Sequence, residues 1–147
     1  MEEHRDHKPN SFTPVVVALR LAEYTIKITE NPKTFPPTRT SDDGTIAVVA
    51  GGCLTEWVRE LSKRIFVLAY TANRINVPKE PDRKDERLRK QREALDACAE
   101  LLAAIQILSR HYHLDKKRVR YWSSLANELE RAIEGWNESD KERFREI

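Results

Sequence analysis

Residues Ile46 to Ile75 read IAVVAGGCLTEWVRELSKRIFVLAYTANRI. Within them Ile46, Ala50, Cys53, Trp57, Leu61, Ile65, Leu68, Ala72 and Ile75 step by four and three residues. That spacing forms the seam of one long helix packed at a shallow angle against its neighbours. At about 1.5 Å per residue the helix is roughly 45 Å long, longer than anything else in the chain, and the other elements must be sized to it. Arg59, Lys63, Phe66, Tyr70 and Arg74 repeat at the same spacing on the opposite side. The seam speaks for the fold, and the outer stripe for what the fold does.

Working outward, residues Met1 to Phe12 read as a mobile polar arm. Thr13 offers an N-cap and Pro14 the first helical position. Val17, Leu21, Tyr24 and Ile28 form the stripe of a first helix, widened by Leu19 and Ile26. It stops near Asn31, since Pro32 disfavours helix in the residue before it. Pro32 to Gly44 (PKTFPPTRTSDDG) reads as a stiff loop without regular structure, with Phe35 tucked into the bundle end. The second helix runs from about Thr45 to Asn76, with Gly51 and Gly52 inside it, where they permit a bend or a close helix contact.

VPKEP, Val77 to Pro81, breaks the chain before a third helix over Asp82 to Tyr112. Its seam is Leu88, Gln91, Leu95, Cys98, Leu102, Ile105 and Tyr112, with Leu101 and Leu108 beside it. The short turn His111 to Leu114 makes the third and fourth helices antiparallel neighbours. Asp115 caps the fourth, in which Val119, Trp122, Ala126, Leu129, Ile133 and Trp136 step by three and four. Ser139 to Glu142 is a capping box that starts a last short helix. No stretch carries a strand signal. The expected fold is all-α: an antiparallel four-helix bundle with a short C-terminal helix, occupying residues 13–147 as one domain.

Charged residues make up 34% of the chain, yet the formal net charge is only +2. Nucleic-acid affinity must therefore come from local patches. Cys53 and Cys98 fall on core faces and read as reduced packing residues. No apolar run approaches a membrane span and the N-terminus is polar, so a cytoplasmic protein is expected. His4 and His7, His111 and His113, and the pair Glu56 and Glu60 match no metal or catalytic pattern, and no phosphate loop or HExxH occurs. We expect neither an enzyme nor a bound metal or cofactor.

Three surface patches remain. Arg59, Lys63 and Arg74, interleaved with Phe66 and Tyr70, suit RNA, a subunit interface in which the rings are buried and the charges form the rim, or a plain solvated face. Arg83, Arg89 and Lys90 lie at the start of the third helix, interleaved with Asp85, Glu86 and Glu93, and read as either an anion-binding face or a solvated helix with internal ion pairs. Lys117, Arg120 and Arg131, flanked by Lys116 and Tyr121, lie opposite the seam of the fourth helix, whose second half is dominated by acidic residues from Glu128 onward, and read as either a nucleic-acid or protein-partner contact or a solvated face.

The order of these features is similar to a known family. LAEYTIKITENPKTFP in the first helix, YTANRI ending the second, ACAELLAAIQIL in the third, Tyr121-Trp122, and Trp136 followed by Ser139, Asp140 and Lys141 carry the likeness, over about Leu19 to Arg143. Together they resemble the four-helix-bundle family of Avd accessory proteins of diversity-generating retroelements and of proteins encoded in intervening sequences of 23S rRNA genes. The resemblance implies a homopentameric barrel with a basic outer surface that binds nucleic acid. For the Avd branch it implies a reverse transcriptase and its structured template RNA as partners in mutagenic cDNA synthesis. The near-balanced charge favours a second reading, a stand-alone member of that family carried by a mobile element or an rRNA intervening sequence and acting through protein–protein contact.

Overall fold

The computed structural model describes residues 12–36, 38–40, 46–48 and 51–147. Four helices make up most of it: α1 Thr13–Thr29, α2 Gly51–Asn73, α3 Lys84–Tyr112 and α4 Lys116–Arg143. Two three-residue strands, β1 Thr38–Thr40 and β2 Ile46–Val48, pair antiparallel, and a short 3-10 turn over Pro81–Arg83 leads into α3. Each helix packs on its two neighbours in the order α1, α2, α3, α4 and back to α1, all antiparallel.

The centre is apolar. Leu21, Ile65, Leu101, Ile105, Leu108, Trp122, Leu129 and Ile133 are fully buried. Trp122 keeps its polar edge satisfied by donating Nε1–H to Thr25 Oγ1 at 2.9 Å. Cys98 lies among these side chains, and burial pushes its thiol up to about 12. Phe35 is buried at the bundle end against Tyr112 and Trp122, as its lone apolar character indicated.

Several expectations need correction. Residues Ile46 to Val48 form a strand and not the first turn of α2, and the loop before them contributes β1. The pairing Thr38 with Val48 and Thr40 with Ile46 joins β-branched residues across a Ser-Asp-Asp-Gly segment, a hairpin composition that outweighs the helical spacing of Ile46. Ala50, in the expected seam, and the arm residues 1–11 lie outside the described residues. Gly51 and Gly52 open α2 and do not sit inside it. At 23 residues α2 is about 34 Å long, shorter than α3 with 29 residues and α4 with 28. Cys53, the third residue of α2, is exposed, and Trp57 is only partly buried. Phe12 is no part of the arm, since its ring packs edge-on against Trp136 at 5.1 Å. No separate last helix forms: α4 runs unbroken to Arg143.

That continuity has a cause. The α4 stripe does not end at Trp136 but steps on through Asn137, Asp140 and Phe144, all buried. Asp140 Oδ2 accepts from Arg87 Nε at 2.7 Å and from Gln91 Nε2 at 2.6 Å, and its Oδ1 accepts from Arg143 Nη2 at 3.0 Å. Gln91 Oε1 accepts in turn from Asn137 Nδ2 at 2.7 Å. Arg87 Nη1 donates to the carbonyl of Ile75 at 2.8 Å, just past the C-terminus of α2. One ion pair thus ties α2, α3 and α4 together.

Removing one partner of a buried pair leaves the other charge uncompensated, at a cost of about 3–5 kcal/mol. Asp140→Asn should lower the unfolding free energy by that order, read as a fall in the urea midpoint at unchanged slope. A change as small as that of an exposed Asp115→Asn control would contradict the reading of this network.

Candidate nucleic-acid interface

The structure sorts the candidate cations, Arg74 and Lys90 apart, into two groups. In the first, intramolecular partners hold the charge. Arg59 donates Nε to Thr29 Oγ1 at 2.7 Å and Nη2 to the Thr29 carbonyl at 2.8 Å. The guanidinium therefore closes the C-terminus of α1, where the helix dipole favours a cation. Lys63 pairs with Glu60 at 2.8 Å, and Arg89 with Glu93 at 2.9 Å. Arg83 bridges Glu86 at 2.8 Å and Glu80 at 3.5 Å. Its hydrogen bond holds the Glu86 carboxyl below the usual range, and Lys90 lies near enough to act on the same carboxylate. These are the i,i+3 and i,i+4 pairs expected of solvated helix faces.

Phe66 and Tyr70 are partly buried against the core, with ring centroids 5.6 Å apart, and Arg74 lies over the Tyr70 ring at 5.9 Å. Beside them Val67 is 54% exposed. This part of α2 is an apolar strip with a cation at its end.

The second group is Lys116, Lys117, Arg120 and Arg131 on α4. All are exposed, and none has an ion pair among the described residues. The first three stand in the opening turns of α4, which hold no acidic residue after the cap Asp115, whose side chain accepts from the Arg118 amide at 2.9 Å. Cations there oppose the helix dipole, so helix stability does not account for them.

The antiparallel packing brings further residues to this end. The turn between α3 and α4 closes through His113 in the left-handed conformation, at φ 55°. The C-terminus of α1 lies against the start of α4, where Arg118 Nη1 donates to Thr34 Oγ1 at 3.2 Å. Tyr24 meets Tyr121 edge-on at 4.9 Å and faces Trp122 at 6.5 Å. Burial, the largest influence on it, raises the Tyr24 hydroxyl above its ordinary pKa. Two recesses open here, of about 310 Å³ and about 320 Å³, both lined by Tyr24 and Arg118. Lys27 lines the first, and Lys117 and Tyr121 the second. Lys27, Arg118 and Tyr24 escape a reading of single helices because they join the site only when α1 and α4 pack. Tyr121 flanks the expected stripe and was readable.

At the opposite end a cavity of about 500 Å³ is lined by Phe12, Ile75, Arg87, Trp136, Asp140 and Phe144 among others. Its charged groups are the ones already joined in the Arg87–Asp140 network. Among the described residues, no three His, Cys, Asp or Glu side chains gather as metal ligands, and no helix is long and apolar enough to cross a membrane. Comparison with protein-family profiles, curated proteins and solved structures finds no match to this chain.

The two groups of cations should respond differently to truncation. Arg59→Ala removes two charge-assisted bonds at a helix end and should cost about 1–2 kcal/mol of stability, whereas Arg120→Ala should stay within about 0.5 kcal/mol of the parent. Thermal melting of both variants checks this, and equal melting points would contradict the division.

Proposed function

We propose that this protein is a non-enzymatic nucleic-acid-binding subunit, the accessory protein of a diversity-generating retroelement, which holds structured RNA for a partner reverse transcriptase. One observation carries the nucleic-acid part. The cations at the start of α4 lack carboxylate partners among the described residues, while Lys63, Arg83 and Arg89 each have one and Arg59 is taken up by the end of α1. From Asp115 to Asn127 the chain has four basic residues and one acidic, and that acidic residue caps the helix. A patch of this sign attracts phosphates although the whole chain is near neutral. The retroelement partner and the homopentamer come from the family resemblance. Five copies of the patch around a ring would raise avidity well above that of one chain.

The apolar strip of Phe66, Val67 and Tyr70 favours a second role on a different face. With Val67 54% exposed beside two partly buried rings, it suits self-association or a protein partner. A bundle acting through this face alone, without nucleic acid, is the alternative reading.

Reversing Lys116, Lys117 and Arg120 to Glu separates the two. Each phosphate contact contributes roughly 0.7–0.9 to the slope of log affinity against log salt. The triple variant should lose most binding to a structured RNA and flatten that slope by about two units per chain, with the mass in solution unchanged. Undiminished binding, or binding by the parent that ignores salt, would overturn the proposal in favour of the protein-contact reading.

A further inference from the structure

We propose that the groove between the C-terminal turn of α1 and the first turns of α4 receives an unpaired base, stacked on Tyr121, with the adjoining phosphates on Lys27, Lys117 and Arg118. This rests on the nucleic-acid reading above and narrows it from a surface to a site.

Three observations converge. First, Tyr121 is 49% exposed although it lies in contact with a core aromatic cluster. Its ring is fixed from below: Tyr24 meets it edge-on at 4.9 Å, and Tyr24 in turn rests on the fully buried Trp122. A ring held this way loses little freedom when a base stacks on it. Second, the recesses beside it are of a size for one base and sugar, and they share Tyr24 and Arg118 as a common wall. Third, the lining carries Lys27, Lys117 and Arg118 against the single carboxylate Asp115, whose side chain is engaged at the helix cap. Arg118 is positioned through one nitrogen only, Nη1 to Thr34, so the rest of its fork can reach a phosphate oxygen. Aromatic rings interleaved with cations along a groove select single strands, because a duplex keeps its base faces stacked on each other.

The test is fluorescence anisotropy with labelled oligo(U) and with an RNA duplex of equal length, at low and high salt. The proteins are the full chain, Tyr121→Ala, Tyr121→Phe and Lys117→Ala. The parent should bind oligo(U) more tightly than the duplex. Tyr121→Ala should weaken oligo(U) roughly tenfold and leave the duplex unchanged, while Tyr121→Phe keeps the parent affinity. Lys117→Ala should weaken both RNAs. Because Tyr121 is half exposed, the alanine variant should stay folded and melt only slightly below the parent, as expected for the loss of one edge-on contact with Tyr24. Base and phosphate are common to RNA and DNA, so oligo(dT) is measured beside oligo(U). Equal affinity assigns the groove to ring and phosphate alone, and a preference for oligo(U) adds a contact to the ribose. An alanine variant that binds both RNAs like the parent, or loses both equally, overturns the groove while leaving the basic patch standing. A parent that binds neither RNA overturns the patch and the groove together.

Discussion

The ion pair of Arg87 and Asp140 is the constraint on which the rest of the bundle depends. Both side chains are almost fully buried, at 8% and 1% exposure. Two charges out of water are tolerable only when every strong hydrogen-bonding group finds a partner in good geometry. Gln91, Asn137, Arg143 and the Ile75 carbonyl supply those partners, and they come from the end of α2, the start of α3 and the end of α4. A slip of α3 or α4 along its axis, or of the end of α2, would unpair a buried charge or its hydrogen bonds. The network therefore sets register where the surrounding apolar contacts, which are non-directional, would tolerate sliding. It also explains why α4 carries on beyond Trp136: Asp140 has to reach Arg87.

The two ends of the bundle are thus built on different physics. At the end holding the chain's α2–α3 connection, charges are buried and matched. At the other end the fastening is aromatic, with Phe35, Tyr112, Trp122, Tyr24 and Tyr121 in a run of edge-on contacts. Beside those rings Arg59 and Arg118 are engaged by Thr29 and Thr34, while Lys27, Lys116, Lys117 and Arg120 stay at the surface. The near-neutral net charge conceals this polarity, because the acidic residues of the fourth helix lie mostly in its second half.

The four long helices, their order and their packing as a bundle were legible in the period of the apolar residues, and so was the burial of Phe35 and Trp122, whereas the expected short last helix is the end of α4. The hairpin was not, since Ile46 fits the helical spacing of α2 as well as the strand it adopts. The Arg87–Asp140 pair was hidden because each partner sits in a dense stretch of mixed charge, and composition reads such stretches as solvated. The stepping from Ile133 through Asn137 to Asp140 and Phe144 was the available signal. Similarly, Arg59 lies on an outward stripe by spacing, but the C-terminus of α1 ends beside it and takes up its guanidinium. A helix period places a side chain on a face. It does not tell which neighbouring helix end that face meets.

The most direct test of the central claim is lysine acetylation footprinting of the full chain, with and without single-stranded RNA, read by mass spectrometry. Protection of Lys27, Lys116 and Lys117 on RNA addition, with Lys63 and Lys79 unchanged, is the predicted result. Protection confined to Lys63 and Lys90, with the start of α4 still fully reactive, would contradict it and place nucleic-acid contact on the α2 and α3 faces instead.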